Sequence, residues 1–300
     1  MHLLQAQAGT VADGSEALDL GQTPADILFL SAADTEIASL AQAARARADD
    51  IAAGRYPSLR LANLMQLSHP MSVDVYIENM IAHARLVMVR ALGGKSYWSY
   101  GVDELVVACR KAKVPLVLMP GDDQPDTELM SLSSVTPEHY HRFWNYCIHG
   151  GLENAAQLLD AAADFAGFSQ SYREPRELLR AGLYWPGRPV SGLDDLRACW
   201  RADQPIAAVV FYRALLQAAN LAPIDALIEA LSERGLNPLP IYCATLKDPL
   251  CAQMVAQALQ TAGADLVLNT TGFAISSPGQ PRAKTPFDIC DGPVLQVVLA

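Results

Sequence analysis

Short apolar runs alternate with helical patterns along this chain, and that alternation limits the available folds more than any other feature of the sequence. Strands separated by helices are typical of β-α-β units, in which the strands lie parallel and the helices cover the sheet. The alternation occurs in two blocks, with a segment of different composition between them. We therefore expect an α/β protein with two such units.

The first block predicts four strands joined by helices. The predicted strands are the apolar runs at residues 26–31, 59–64, 86–90 and 115–119. Helical patterns fall at residues 33–53, 73–83, 100–111, 137–146 and 152–165. Such elements make an open, mostly parallel sheet, flavodoxin-like or periplasmic-binding-like, whose ligands lie at the carboxyl ends of the strands.

The second block predicts four more strands of the same kind. They are the runs at residues 206–212, 237–243, 264–269 and 293–299, with helical patterns at 223–234 and 249–262. The first of these strands is apolar on both faces, as a central parallel strand requires. No helix follows the last one, and a sheet ending there would expose a face and an edge. We therefore expect this second unit to be incomplete.

The expected domain organisation follows from the two blocks. Residues 1–167 form an N-terminal α/β domain, residues 168–204 a linker, and residues 205–300 the start of a second, truncated α/β domain. The linker is rich in Tyr, Trp, Arg, Pro and Gly. Its aromatic side chains need a partner, so we expect it to pack across the first domain rather than to be free coil.

Composition excludes several classes of protein. A net charge of −10 without a cluster of Lys and Arg argues against nucleic acid as a partner. The absence of an eighteen-residue apolar run argues against a membrane partner, and the first sixteen residues lack the features of a secretory signal, so we expect a cytoplasmic protein. The six cysteines are scattered, which predicts neither a disulfide framework nor a zinc site.

Motifs for independent catalysis are also missing. The sequence contains no G-x-x-x-x-G-K-[ST] loop, so we do not expect this chain to bind ATP, and it contains neither G-x-S-x-G nor H-E-x-x-H. His139, His141 and His149, together with Glu138 and Tyr140, form the densest group of potential metal ligands. Because His139 and His141 are two residues apart, they point to different faces of a helix, and we predict no metal site and no catalytic residue.

Three separated strings resemble the CobN/magnesium-chelatase family. The most specific is VRALGGKSYWSYG at residues 89–101. A second set begins with FYR at 211–213 and continues through QAAN at 217–220 to ERGLNPLP at 233–240. The third comprises LKDP at 246–249, DLVLNTTGF at 265–273 and PVLQV at 293–297. Together the matches run from about Asp26 to the end, in the order that the family shows.

This resemblance implies the N-terminal portion of the large, tetrapyrrole-binding subunit of an ATP-dependent cobaltochelatase. Such an enzyme inserts Co²⁺ into hydrogenobyrinic acid a,c-diamide in cobalamin synthesis. Two smaller motor subunits of the AAA+ type, which use ATP and Mg²⁺, would be its partners. Because the family's large subunits are several times longer, the resemblance implies that this chain alone is inactive and holds no cofactor.

Two other functions remain open at this point. One is the large subunit of a magnesium or nickel chelatase, since an enclosing domain need not reveal the metal. The other is a non-catalytic binding module whose two lobes hold a small ligand.

Candidate substrate-binding residues lie where the predicted strands end. They are Arg90, Gly93, Gly94, Lys95, Tyr97, Trp98, Tyr212, Arg213, Asn269, Thr270 and Thr271. Glycines with positive φ allow backbone to approach a ligand, aromatic rings can stack on a tetrapyrrole, and basic groups can meet its carboxylates. The alternatives are a tight turn at the glycines, packing at the start of a helix, and turn capping by Asn and Thr. We also expect Asp248 to cap a helix whose first residue is Pro249.

Overall fold

The fold is taken from a computed structural model of the chain, which describes residues 16–272, 279 and 284–299. Two compact units make up the chain, Met1–Glu177 and Leu178–Ala300. The sequence features noted in the first fifteen residues, at Phe273 and at Ala300 lie outside the described residues. In the described part, no helix is both long and apolar enough to cross a bilayer.

The first unit is built on a parallel sheet of four strands. They are β1 (Ile27–Ser31), β2 (Leu59–Asn63), β3 (Leu86–Ala91) and β4 (Leu116–Pro120), in the order β2-β1-β3-β4. Every residue of β1, β3 and β4 is buried, because helices cover both faces of the sheet. The prediction of a parallel α/β sheet is confirmed.

Helices connect these strands and cover the sheet. They are α1 (Asp34–Arg45), α2 (Ala48–Ala52), α3 (Pro70–Met80), α4 (Ser99–Ala112), α5 (Thr127–Leu132), α6 (Pro137–His149) and α7 (Gly151–Phe165). The single helix predicted for residues 33–53 is wrong, since α1 and α2 are separate. The chain leaves the helical path at Arg47, whose guanidinium binds Asp160 of α7 at 2.6 Å.

The second unit contains a mixed sheet of five strands. They are β5 (Ala181–Leu183), β6 (Ile206–Tyr212), β7 (Asn237–Cys243), β8 (Leu266–Asn269) and β9 (Val294–Gln296), in the order β5-β7-β6-β8-β9. Its helices are α8 (Leu193–Arg197), α9 (Arg213–Gln217), α10 (Ala222–Glu233) and α11 (Pro249–Ala262). All strand pairs are parallel except β5 with β7. The four parallel strands β7-β6-β8-β9 repeat the order of the first sheet.

The aromatic segment between the two blocks differs from a simple linker. Residues 168–177 belong to the first unit, whereas residues from Leu178 onward belong to the second. Strand β5 lies in this segment and pairs with β7, with Gly182 opposite Tyr242. Backbone hydrogen bonds to a strand some sixty residues later therefore order a segment that sequence patterns leave without structure.

One local prediction about this unit is confirmed. The side chain of Asp248 caps α11, since its Oδ1 accepts a hydrogen bond from the backbone N–H of Leu250 at 2.9 Å. Pro249 is the first residue of the helix, where a missing N–H costs nothing.

Candidate functional site

The carboxyl edge of the first sheet has the geometry at which open α/β sheets bind ligands. From β1 the chain moves to β2 on one side and then to β3 on the other, so the order of strands reverses between β1 and β3. After β3, Gly93 and Gly94 adopt φ angles of +80° and +74°. A Cβ atom on Gly94 would lie 3.1 Å from Oδ2 of Asp126. Both glycines are therefore needed for this turn, as the sequence predicted.

Arg90 lies beneath this turn, and protein groups occupy all three nitrogens of its guanidinium. Its side chain is only 3% exposed. Nε and Nη2 contact Oε1 of Glu36 at 3.0 and 2.9 Å. Nη1 donates to the carbonyl of Pro120, and Nη2 donates to that of Gly121 at 3.1 Å. The residue thus ties the end of β3 to α1 and to the end of β4.

The charge of Arg90 is stable in this setting despite its burial. Burial alone disfavours the charged form, yet the neighbouring carboxylate of Glu36 keeps the pKa of Arg90 above its ordinary value. The hydroxyl of Ser31 donates to the other oxygen of Glu36 at 2.6 Å. A ligand carboxylate could bind Arg90 only by breaking this network. Arg90 therefore has a structural role beneath the turn.

Trp98 is also turned inward. The residue is 8% exposed, and its indole Nε1 donates to the carbonyl of Leu67 at 2.8 Å. Its ring lies against Gly101, where a Cβ atom would come within 2.1 Å of the indole. Trp98 therefore holds the start of α4 against the connection after β2. Its indole ring offers no face on which a ligand could stack.

The neighbouring side chains Lys95 and Tyr97 face solvent instead. Tyr97 is 56% exposed, and its hydroxyl lies 3.5 Å from the sulfur of the exposed Met65. Nζ of Lys95 lies 2.8 Å from Oδ1 of Asp103 and 3.7 Å from Oε1 of Glu128. The hydrogen bond to Asp103 is the main reason that the pKa of Lys95 is raised. Of the predicted residues here, Gly93, Gly94, Lys95 and Tyr97 are the ones that a ligand can reach.

In the second unit the predicted residues meet at the ends of β6 and β8. Tyr212 is half-buried, whereas Arg213 is buried and donates to the carbonyl of Leu178 at 2.9 Å. The backbone N–H and the hydroxyl of Thr270 both bind the carbonyl of Val210, at 2.8 and 3.1 Å.

Asn269 and Thr271 close the turn that follows β8. Oδ1 of the buried Asn269 accepts hydrogen bonds from the backbone N–H and the hydroxyl of Thr271, at 3.1 and 2.7 Å. Its Nδ2 donates to Oε1 of Gln296 in β9 at 3.0 Å. This pattern is the turn capping that the sequence left open as an alternative.

Sequence reasoning placed none of three further side chains at the first edge. Glu36 neutralises Arg90, and Asp126 caps α5 by accepting from the backbone N–H groups of Glu128 and Leu129 at 2.9 and 3.0 Å. The Tyr140 hydroxyl is buried without a hydrogen-bond partner among the described residues. Burial, assisted by Asp126, raises the pKa of Tyr140 to about 12. An Asp followed by an acidic first turn is a capping signal, so Asp126 was open to prediction, whereas Glu36 and Tyr140 depend on tertiary contacts.

The histidines of α6 have ordinary structural contacts. Nδ1 of His139 lies 2.8 Å from the hydroxyl of Thr136, and its ring packs edge-on against Phe165 with centroids 4.9 Å apart. Across residues 16–272 and 284–299, no three His, Cys, Asp or Glu side chains are placed to hold a metal ion.

Comparison with known proteins gives consistent results over the whole chain. A family model described as CobN/Magnesium Chelatase matches residues 144–300. The aerobic cobaltochelatase subunit CobN of Sinorhizobium sp is 43% identical over 308 residues, which are 100% of this chain and 24% of that protein. The protein of the same name from Pseudomonas aeruginosa is 44% identical over 299 residues, which are 99% of this chain and 23% of that one.

A solved structure supports the same relationship at the level of the fold. The catalytic subunit of cobaltochelatase from Mycobacterium tuberculosis superposes with a TM-score of 0.61 at 26% sequence identity, over 91% of this chain and 21% of that one. The chain thus spans between a fifth and a quarter of the length of these relatives.

Proposed function

Because this chain belongs to the CobN/magnesium chelatase family, we propose that it is a portion of the large subunit of an ATP-dependent cobaltochelatase. The substrates would be Co²⁺ and hydrogenobyrinic acid a,c-diamide, and the pathway cobalamin synthesis. One observation carries the proposal: two proteins named cobaltochelatase subunit are 43% and 44% identical to this chain over nearly all of its length. Their names favour cobalt over magnesium or nickel as the inserted metal.

Within that subunit, the role we propose for these residues is to enclose the tetrapyrrole. A tetrapyrrole is a flat apolar ring with carboxylates and amides at its rim, so it needs an aromatic surface and a few polar groups. Tyr97 supplies an exposed ring beside Gly93 and Gly94, whose lack of side chains lets a large ligand approach the backbone. In the second unit, Tyr212 and Thr270 are the partly exposed members of the predicted set.

Lys95 is the cation at this edge that a substrate carboxylate can recruit. Its contacts with Asp103 and Glu128 involve carboxylates that are 58% and 62% exposed. Solvent screens ion pairs of this kind, so exchanging one carboxylate for another costs little. Arg90 and Trp98 would act indirectly, by holding the turn and the start of α4 in place. Two smaller motor subunits that use ATP and Mg²⁺ would be the partners of the full-length protein.

The test is a titration of the full-length subunit with hydrogenobyrinic acid a,c-diamide, followed by the quenching of protein fluorescence. Replacing Tyr97 with alanine removes the stacking surface, and we expect the dissociation constant to rise about 5- to 13-fold, since an aromatic contact contributes about 1–1.5 kcal/mol. Tyr97→Phe keeps the ring and should bind as the wild type does. Val107→Ala, which trims another exposed apolar side chain of the first unit, serves as the control.

Unchanged affinity in Tyr97→Ala would remove the ring contact and leave the family assignment intact. The assignment to cobalt is tested separately, by measuring which metal the reconstituted complex inserts. Insertion of magnesium or nickel in preference to cobalt would overturn it.

A further inference from the structure

A cleft of about 400 Å³ lies within the second unit, between α11 and the edge of the sheet. Its lining residues come from β5, β7, α11 and the start of α8. None of them belongs to the candidate residues at the strand ends described above. They are Ala181, Gly182, Leu183, Leu193, Ile241, Gln253, Met254, Gln257, Ala258 and Thr261.

The cleft forms because one side of α11 extends beyond the strand that the helix covers. The helix buries Cys251, Val255 and Leu259 on the sheet, one turn apart. The neighbouring stripe, which contains Met254 and Ala258, extends over β5. That strand is three residues long and begins with the small residues alanine and glycine, so space remains under the helix.

The lining of the cleft is apolar with a polar margin. Leu183, Leu193, Ile241 and Met254 give it hydrocarbon walls. No acidic or basic residue is among the residues that line it. Pockets that hold small molecules have this composition and commonly measure roughly 300–1,000 Å³.

Two glutamines, one turn apart on α11, supply the polar margin. Nε2 of Gln257 donates to the hydroxyl of Thr261 at 2.8 Å, which leaves the carbonyl oxygen of this glutamine as an acceptor. Within the described residues, the amide of Gln253 has no hydrogen-bond partner. The margin thus offers both donors and acceptors, and both are uncharged.

We propose that this cleft is a binding site for an uncharged, mainly apolar small molecule that carries a carboxamide or lactam group. The amides of Gln253 and Gln257 would pair with that group, and the hydrocarbon walls would hold the rest. An anionic ligand would leave water without meeting a cation in the lining. A cationic ligand would find no carboxylate in the lining, so both charged classes are excluded by desolvation.

Three probes of nearly one shape test the proposal: benzamide, benzoate and benzamidinium. Saturation-transfer NMR on the full-length subunit would follow each probe. We expect saturable binding of benzamide with a dissociation constant on the order of 1 mM, as its size allows, and binding of both charged probes at least about tenfold weaker. Absence of saturable benzamide binding, or equal binding of all three, would overturn the proposal.

Variants of α11 locate the binding. Ala258→Phe fills the cleft and should abolish the benzamide signal, whereas Ala256→Phe, the same change on another face of α11, should keep it. Circular dichroism and thermal melting of both variants check the fold. If Ala258→Phe does not fold, the double variant Gln253→Leu/Gln257→Leu, which changes exposed side chains, should lose the preference for benzamide over benzoate. Unaltered benzamide binding in Ala258→Phe, or an unaltered preference in the double variant, contradicts the site.

Discussion

The two units share one strand order and differ in how they hold the carboxyl edge of the sheet. In the first unit, Arg90 reaches Glu36, which is 54 residues earlier, and the carbonyls of Pro120 and Gly121, which are 30 and 31 residues later. In the second unit, Asn269 at the end of β8 binds Thr271, two residues away, and Gln296 in β9, both uncharged, while the buried Arg213 at the end of β6 donates to the carbonyl of Leu178. The equivalent strand ends of one topology, β3 and β8, are thus held by a buried ion pair in the first unit and by an uncharged amide turn in the second.

That difference has an energetic side. A buried ion pair is costly to break, because the remaining partner stays in the protein interior without compensation. A local amide turn costs only its own hydrogen bonds. Single substitutions at the first edge should therefore lower the free energy of unfolding more than substitutions at the second edge. Conditions that add charge to the interior should also affect the first unit more.

The largest expected contrast is in alkaline solution. Burial raises the pKa of six tyrosines and cysteines in the first unit and of three in the second; they are Tyr56, Tyr76, Tyr140, Tyr146, Cys109 and Cys147, against Tyr184, Tyr242 and Cys243. A group with a raised folded-state pKa stabilises the fold fully below its unfolded-state value and loses that contribution as pH rises toward the folded value. Each group then removes up to about 1.4 kcal/mol per pH unit.

We therefore expect the free energy of unfolding of the first unit to fall about twice as steeply as that of the second between roughly pH 9 and pH 12. Urea unfolding at several pH values, with pulse labelling of the buried thiols Cys109 and Cys243, measures the two units separately. An equal or steeper fall in the second unit would contradict this difference between the units.

The next effect concerns Arg90. Replacing Arg90 with methionine leaves the carboxylate of Glu36, 23% exposed, without its partner. We expect the free energy of unfolding to decrease by about 3–5 kcal/mol in urea denaturation at neutral pH. Adding Glu36→Gln should recover part of this loss, because the uncompensated charge is removed. Arg55→Met, whose side chain is 65% exposed, is the control and should cost at most about 1 kcal/mol. Equal losses of unfolding free energy in Arg90→Met and Arg55→Met would show that the buried ion pair contributes no more than an exposed one.

The smallest effect is expected at Asn269. Asn269→Ala removes the acceptor of the Thr271 hydroxyl and the donor to Gln296, and the loss should be about 1–3 kcal/mol. Asn269→Asp keeps the acceptor but buries a carboxylate that faces Oε1 of Gln296, so at neutral pH it should be at least as destabilising as the alanine variant. Urea denaturation measures all three proteins. A loss in Asn269→Ala that exceeds that in Arg90→Met would reverse the ranking of the two edges.

Sequence patterns predicted those parts of the fold that depend on neighbouring residues. The parallel strands of both sheets are mainly apolar runs, and the Asp248 cap lies beside its helix, so both were accessible. Strand β5 was not, because three residues carry no periodicity and the strand owes its order to pairing with β7. Helix α5, six residues long, was missed for a similar reason.

The same distinction applies to the candidate site. Positive φ at Gly93 and Gly94 follows from the residue type and the position after a strand, so the sequence was sufficient. The sequence places Arg90 and Trp98 at the strand end as well. Which way their side chains turn is decided by Glu36 and by the carbonyl of Leu67, partners that lie 54 and 31 residues away. Long-range acceptors of this kind leave no local pattern.

The reach of Arg90 also sets an order of assembly during synthesis. Its guanidinium cannot leave water until Pro120 and Gly121 have emerged from the ribosome and β4 has docked beside β3, because its carbonyl acceptors do not exist before then. The hydrogen bonds between Asn269 and Thr271 close within three residues and need no such wait, and only the bond to Gln296 forms after β9 has been made. The first edge is thus completed late in the translation of its own unit, and a nascent chain stalled before Pro120 would display an unfinished edge to chaperones.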